Sequence, residues 1–136
     1  MAAPETRSRA RPLSPHLQVY RWQVQMVTSI LHRATGMALV VGALAMVWGL
    51  VALAAGPERW AEFTACVGSV PGQVLLFAFG WALAYHLING IRHLVQDAGF
   101  GFDIPDFVRN SWVSIIGSLL LVVLVWAIVL MQWGQA

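Results

Sequence analysis

The chain has 136 residues, of which 59% are hydrophobic and 10% are charged, and its formal net charge is +2. Because soluble domains carry about 25% charged residues, this composition excludes an ordinary soluble protein and indicates an integral membrane protein with one domain. The single cysteine, Cys66, excludes a disulfide within the chain. It also excludes an iron–sulfur cluster held by this chain alone, since such clusters take about four thiolates.

The first segment of the chain, residues 1–27, is polar, rich in arginine and partly aromatic. We interpret it as a cytoplasmic surface segment, because the basic stretch is not followed promptly by the short apolar core and cleavage site of a secretory signal. Tyr20 and Trp22 are suited to the headgroup level of a bilayer, where aromatic side chains collect. We interpret His16 as an interfacial residue of the same segment.

Three long stretches without any Asp, Glu, Arg or His predict three membrane-spanning helices. The stretches are Ala34–Pro57, Phe63–Tyr85 and Asn110–Ala136. Each is long enough to cross about 30 Å of hydrocarbon at ~1.5 Å per residue, and a helix satisfies the backbone of such a run internally. The expected fold is an all-α membrane protein with helices at about residues 28–55, 67–95 and 111–133.

Two short polar segments are predicted to connect these helices as loops. The first is AAGPERWAEF, residues 54–63, where Gly56 and Pro57 end the first helix. The second is DAGFGFDIPDF, residues 97–107, where Pro105 acts as a helix breaker. The first and second helices extend beyond their uncharged stretches into polar segments that carry histidine and arginine.

The arginines indicate how the helices are oriented, since the chain has no lysine. Most of them precede the bulk of the first helix or flank the second loop, whereas only Arg59 lies in the first loop. The arginines that precede the bulk of the first helix or flank the second loop are Arg7, Arg9, Arg11, Arg21, Arg33, Arg92 and Arg109. By the positive-inside rule, the N-terminus and the second loop lie in the cytoplasm, and the first loop and the C-terminus lie outside. The polar ends of the first two helices then lie on the same side, which predicts one shared site.

Polar side chains at these two helix ends fall on one face of each helix. On the first helix, Ser29 and Arg33 share a face and His32 lies at its edge. On the second helix, a sector of about 100° holds most of the polar residues, with Arg92 pointing elsewhere. That sector contains His86, Asn89, Gly90, His93 and Asp97. Ionisable side chains are costly in hydrocarbon, so these faces are predicted to meet a partner helix, a cofactor or a water-filled cavity.

His86 is the deepest of these side chains, about 16 Å along the helix from Asp97. It is therefore predicted near mid-membrane, where a neutral imidazole needs a hydrogen-bond partner or a metal. Haem iron is a natural partner, and plain hydrogen bonding between helices is the alternative. A porphyrin held at His86 would place its carboxylates near His93, ~10 Å toward the cytoplasm, where His32 and Arg33 could meet them. Arg33 taken alone could instead snorkel to the interface.

Two motifs resemble those of the cytochrome b556 membrane-anchor subunits of succinate dehydrogenase, which is respiratory complex II or succinate:quinone oxidoreductase. The first motif, RPLSPHL…SILHRAT, runs from Arg11 to Thr35, and the second, HLINGIRHLVQDAG, runs from His86 to Gly99. The spacing within both motifs fits that family, as do three helices with a cytoplasmic N-terminus. The resemblance covers most of the chain, although the first loop and the third helix match only in character. Gln96 departs from the family pattern, which usually has an aromatic residue or Met before the Asp.

The resemblance implies roles for individual residues. His86 matches the axial ligand of the haem b iron, and His32 and Arg33 match residues near the haem propionates. His93 belongs to the same motif and is placed with the propionates. Ser29 and Arg33 match residues that line the ubiquinone pocket near the cytoplasmic surface.

The resemblance also implies partners. In this family a flavoprotein subunit and an iron–sulfur subunit oxidise succinate, and a second membrane-anchor subunit completes the haem-binding helix bundle. This chain would carry electrons to ubiquinone without being catalytic alone, and it would hold neither flavin nor an iron–sulfur cluster. The second axial ligand is expected from the partner anchor subunit, because one straight helix cannot place His86 and His93 on both faces of one iron. The implied location is the inner membrane of a bacterium, with the mitochondrial inner membrane less favoured.

Three alternatives to this function are considered. The chain could anchor a fumarate reductase, which runs the same chemistry in reverse, or another quinone oxidoreductase. It could also be a haem-free scaffold whose polar faces only join helices. A small transporter is disfavoured, because no carboxylate lies mid-helix to couple ions and no inverted repeat is visible.

Overall fold

The computed structural model describes residue 16 and residues 19–133, along which four α-helices follow one another. They are α1 (Val24–Ala54), α2 (Pro57–Gly68), α3 (Val70–Asp97) and α4 (Ile104–Trp133). Most of the predicted N-terminal surface segment, including Arg7, Arg9 and Arg11, lies outside the described residues. Tyr20 and Trp22 are described, and their ring centroids lie 6.1 Å apart just before α1 begins.

The helices α1, α3 and α4 have 31, 28 and 30 residues, so each exceeds the ~20 residues that cross a bilayer. All three are long and apolar enough to span a membrane, which confirms the predicted all-α membrane protein with three transmembrane helices. Contacts from Thr28 to Arg92 and from Gly42 to Phe79 run in opposite directions along α1 and α3. These two helices are therefore antiparallel, and the start of α1 lies beside the end of α3.

The ends of the long helices differ from the predicted ones. The first begins at Val24 rather than near residue 28, the next covers Val70–Asp97 rather than 67–95, and the last begins at Ile104 rather than near residue 111. Pro105, predicted to act as a helix breaker within the second loop, instead lies in the first turn of α4. A proline is tolerated there because the N–H groups of a first turn have no partner within the helix. Asp106 follows in the same turn, where its charge favours the positive end of the helix dipole.

The segment at residues 54–63, predicted to be a loop, is instead largely helical, because α2 begins at Pro57. Gly56 turns the chain between α1 and α2 with a φ of 113°, which glycine adopts without strain. A proline in the first turn and Glu58 beside the positive helix end both favour a helix start. Arg59 then pairs with Glu62 at 2.8 Å on the exposed side of α2.

The short helix α2 lies against the end of α1 that is farthest from the histidines. The ring of Phe63 meets Trp48 edge to face, with centroids 4.8 Å apart, and a Cβ at Gly49 would lie 2.7 Å from Cζ of Phe63. Near this end, α1, α2 and α3 line an apolar cavity of about 720 Å³. Gly42 and Phe79 line it too, and the Phe79 ring occupies the space that a side chain at Gly42 would need.

The interior of the helix bundle is built from small and polar side chains. The buried apolar residues among those described are Ala52, Ala82, Ala84, Tyr85 and Val122. The buried polar ones are Thr28, Thr35, Asn89, Arg92, Gln96, Ser111, Ser114 and Ser118. Large aliphatic side chains mostly point outward, where lipid tails are as apolar as they are. Close approach of small residues and hydrogen bonds between helices therefore hold the bundle together.

Candidate functional site

Three histidines come together where the first part of α1 lies against the last part of α3. The rings of His32 and His86 are stacked, with centroids 4.0 Å apart and planes 12° apart. The His93 ring lies 5.2 Å from the His32 ring, at an angle of 52°. We call His32, His86 and His93 the histidine cluster. The structure thus brings together side chains that the sequence places on two separate helices.

The two ring nitrogens of His86 have different surroundings. Nδ1 lies 3.2 Å from the backbone oxygen of His32 and 3.4 Å from Oγ1 of Thr35. A carbonyl oxygen can only accept, so neutral His86 carries its proton on Nδ1 and donates it to this oxygen. Nε2 keeps its lone pair and makes no hydrogen bond to any residue that the structure describes. Metal-binding histidines have this arrangement, in which the protein holds one nitrogen and the other is free to coordinate.

One turn of α1, around Thr35 and Gly36, allows the His86 ring to lie close to the α1 backbone. Gly36 faces the imidazole, and a Cβ at this position would lie 3.1 Å from Cε1 of His86. The Thr35 hydroxyl donates to the backbone oxygen of Leu31 at 2.8 Å, which leaves its lone pairs available to His86. The same turn therefore supplies an acceptor carbonyl, an acceptor hydroxyl and a gap for the ring.

His93 is exposed, but its ring is tied to a buried network. Nδ2 of Asn89, which is fully buried, lies 3.2 Å from Nε2 of His93. Oδ1 of Asn89 accepts from Nη1 of Arg92 at 3.1 Å, and the same Nη1 donates to Oγ1 of Thr28 at 3.3 Å. The Arg92 guanidinium also lies over the ring of Phe107, 4.5 Å from its centroid. Arg92 therefore connects α3 to both α1 and α4.

Sequence reasoning misses the roles of two buried members of this network. Helical spacing predicts that Arg92 points away from the polar face, yet its guanidinium reaches Asn89 on that face, and the side chain is only 8% exposed. Tyr85 is fully buried, and its hydroxyl donates to the backbone oxygen of Thr28 at 2.9 Å. Each carries a signal in the sequence, since an arginine or a tyrosine in an apolar helix needs partners for its polar atoms. Those partners include residues on other helices, and the spacing of residues along a single helix cannot identify them.

Ser29 and Arg33 lie one turn apart on α1, beside the histidine cluster. Ser29 is half-buried and Arg33 is exposed. Within the described part of the chain, neither side chain makes a hydrogen bond or an ion pair, so their polar atoms remain available to a ligand. Asp97, on the predicted polar face, is exposed at the last position of α3. Gln96, which departs from the family motif, is buried.

Comparison with known proteins gives a consistent result. Residues 7–128 match the family described as succinate dehydrogenase/fumarate reductase transmembrane subunit. The chain is 46% identical over 114 residues to the succinate dehydrogenase cytochrome b556 subunit of Paracoccus denitrificans, which covers 84% of this chain and 88% of the relative.

A second relative, the subunit of the same name from Rickettsia prowazekii (strain Madrid E), is 39% identical over 116 residues, which is 85% of this chain and 90% of the relative. The resemblance drawn from the two sequence motifs is thereby confirmed. The matched region contains all four helices up to residue 128, and with them the whole histidine cluster. The chain belongs to the family of transmembrane subunits of succinate dehydrogenase and fumarate reductase.

Proposed function

We propose that this subunit anchors a succinate dehydrogenase in the inner membrane of a bacterium and passes electrons from succinate oxidation to ubiquinone. A flavoprotein subunit and an iron–sulfur subunit would oxidise succinate on the cytoplasmic side, and a second membrane-anchor subunit would complete the haem-binding bundle. The names and bacterial sources of the relatives support this assignment. The arginine distribution supports a cytoplasmic N-terminus.

In this proposal His86 is an axial ligand of haem b. The supporting observation is the contact from its Nδ1 to the His32 backbone oxygen, which leaves the Nε2 lone pair free. Haem b, when bound, supplies a one-electron redox centre within the membrane. His86 and His93 lie two turns apart on the same helix, so both cannot bind opposite faces of one iron, and this chain is proposed to offer His86 alone. The second axial ligand is expected from the partner anchor subunit.

The side chains of His32, Arg33 and His93 would hold the haem propionates. A carboxylate in a membrane needs N–H donors or cations around it to offset its desolvation, and a guanidinium can supply two parallel donors. Nδ1 of His32 has no hydrogen-bond partner among the described residues, so it would donate to a propionate if the ring turned to expose this nitrogen. Arg33 is adjacent in the sequence and exposed, which leaves its charge available to the same acceptor.

Ubiquinone would bind to Ser29 and Arg33 near the cytoplasmic surface. Arg33 can stabilise the negative charge that develops on a quinone oxygen as electrons arrive, because a guanidinium stays cationic and its field is strong in a low-dielectric pocket. Ser29, one turn away, can donate a hydrogen bond to a quinone carbonyl oxygen. Quinone reduction also consumes protons, and water at the cytoplasmic end of α1 would supply them.

A reduced-minus-oxidised absorption spectrum of the purified membrane complex tests the haem assignment. The wild type is expected to show a b-type band that His86→Ala abolishes, because the substitution removes the iron ligand. His16→Ala, which changes an exposed histidine before α1, is the control and should leave the band unchanged. A band that survives His86→Ala would contradict the assignment, and a colourless wild type would favour the haem-free scaffold.

A fumarate reductase anchor is the second candidate, because the matching family includes the subunits of both enzymes. The two enzymes run the same chemistry in opposite directions, so the preferred quinone separates them. Succinate oxidation with ubiquinone and fumarate reduction with a low-potential quinol can be measured on one preparation. Faster succinate oxidation would support the proposal, and faster fumarate reduction would support the second candidate.

A further inference from the structure

The guanidinium of Arg92 is a buried cation with no acidic partner among the described residues. The ion pairs found there join Arg59 to Glu62 and Arg109 to Asp106. Arg92 is 8% exposed, and its Nε makes no hydrogen bond within the described chain. Burying a charge in a membrane protein is costly, and such residues usually have a specific task. The bonds that Arg92 does make indicate what that task is.

The bond from Arg92 fixes which way the Asn89 amide faces. A guanidinium has donors and no acceptor, so the Asn89 atom that lies 3.1 Å from Nη1 must be the oxygen Oδ1. The amide nitrogen Nδ2 then faces Nε2 of His93 at 3.2 Å. Because an amide nitrogen only donates, Nε2 of His93 must accept. A neutral His93 ring therefore carries its proton on Nδ1.

We propose that Arg92, acting through Asn89, is a positioning residue that holds His93 in the tautomer protonated at Nδ1. The lone pair on Nε2 of His93 is then engaged, in contrast to that of His86, which is free. His93 cannot bind iron through Nε2 in this state and instead offers an N–H donor. A carboxylate has only acceptor oxygens, so this donor suits a propionate, a step that rests on the proposed function above.

Three helices contribute to this arrangement. Thr28 on α1 accepts a second bond from Nη1 of Arg92, and Phe107 on α4 packs against the face of the guanidinium. The planar guanidinium can stack on a ring while its fork of N–H groups reaches two oxygens, which the compact ammonium of lysine cannot do. The proton position on His93 therefore depends on how α1, α3 and α4 pack together.

The test is nitrogen NMR of the whole membrane complex labelled with 15N-histidine. Spectra are recorded on the dithionite-reduced complex at mildly alkaline pH, and the His93 signals are those lost in His93→Gln. In the wild type, the directly bonded proton is expected on Nδ1 of His93, with Nε2 unprotonated. A proton on Nε2 in the wild type would overturn the proposal without the need for any further variant.

The variant Asn89→Asp tests whether the group at position 89 determines which ring nitrogen of His93 carries the proton. A carboxylate beside Arg92 pairs with the guanidinium and can only accept from His93, so the His93 proton is expected to move from Nδ1 to Nε2. Asn110→Asp makes the same chemical change on α4 and should leave the His93 signals unchanged. A His93 proton that stays on Nδ1 in Asn89→Asp would contradict the proposal.

The variant Arg92→Leu tests whether the arginine acts through the amide. Without the guanidinium, Asn89 is free to turn, so two sets of His93 signals are expected in place of one. One unchanged set would contradict the role of Arg92. The NMR result does not depend on haem, so a complex that lacks a b-type band but shows the expected His93 proton would refute the proposed haem site and leave this inference standing.

Discussion

The ring of His32 lies face to face with the ring of His86, with centroids 4.0 Å apart, and the backbone oxygen of His32 lies 3.2 Å from Nδ1 of His86. One residue therefore limits the tilt of the His86 ring and also fixes the position of its proton. The stacking depends on the His32 side chain, whereas the carbonyl belongs to the backbone. Substitution of His32 can separate these two contributions.

We expect His32→Ala to keep most of the haem, because the backbone oxygen remains and still holds Nδ1 of His86. The His86 ring loses its stacking partner and gains rotational freedom, so the electron paramagnetic resonance lines of the oxidised haem should broaden. The measurement is haem content per complex together with that spectrum. A loss of haem as complete as in His86→Ala would show that the His32 side chain, through its stacking on His86 or its proposed propionate contact, matters more for haem binding than the His32 backbone oxygen does.

The small gap between Gly36 and His86 predicts that larger side chains at position 36 disturb the His86 ring. A Cβ there would lie 3.1 Å from Cε1 of His86, so Gly36→Ala should lower haem content and Gly36→Val should lower it further. Gly117→Ala is the matched control, since its Cβ would meet only Cδ1 of Ile88 at 3.6 Å and the helix gains the same ~1 kcal/mol of propensity. Equal haem content in all these variants would contradict the steric role of Gly36.

The role of Arg33 at the quinone is tested by comparing two electron acceptors. Arg33→Leu is expected to lower succinate:ubiquinone activity about 100-fold, the usual cost of removing one stabilising group from a developing oxyanion. Succinate oxidation with a soluble dye should be unchanged, because that reaction does not use the membrane site. Arg59→Leu, which removes an arginine at the other end of the bundle, is the control. Equal losses with both acceptors would indicate failed assembly and contradict the prediction.

The contact between Gly42 and Phe79 predicts coupled effects on stability. A Cβ at Gly42 would lie 1.8 Å from Cε2 of Phe79, so Gly42→Ala should lower the free energy of unfolding by about 1–3 kcal/mol, as overpacked interiors do. Combined with Phe79→Ala, which removes the ring, the same substitution should cost less than it does alone. Thermal unfolding of the four complexes in one detergent measures this double-mutant cycle. Strictly additive effects would contradict the contact.

The three spanning helices could be predicted because a membrane helix requires a long run of apolar residues without charged side chains, and such a run is visible in the sequence. The short helix α2 could not be recognised in this way, since Glu58, Arg59 and Glu62 give it the composition of a loop. Its start signals, Pro57 and an acid in the first turn, are present but weak. The preference of proline for the first turn of a helix also explains the early start of α4. Pro105, predicted to be a helix breaker, lies in the first turn of that helix.

The sequence also predicts that His32, His86 and His93 lie near one another, because helical spacing groups the polar residues on one face of each helix and the arginine distribution puts both polar helix ends on the same side of the membrane. It did not predict the hydrogen bonds that distinguish His86 from His93. Those bonds depend on the His32 carbonyl, on Thr28 and on the orientation of Asn89, and therefore on the exact approach of α1 to α3. Periodicity gives the face of a helix, but the state of each ring nitrogen requires the packed structure.

An interior made mainly of small and polar side chains means that this bundle gains little from water being expelled when it folds. Its outward leucines are solvated by whatever amphiphile surrounds them, so exchanging one branched aliphatic side chain for another on that surface should be nearly neutral. Enlarging an inward serine such as Ser118 would push two helices apart. Size therefore limits substitution inside the bundle and apolarity limits it outside, and purification conditions must replace the lipid rather than merely disperse it.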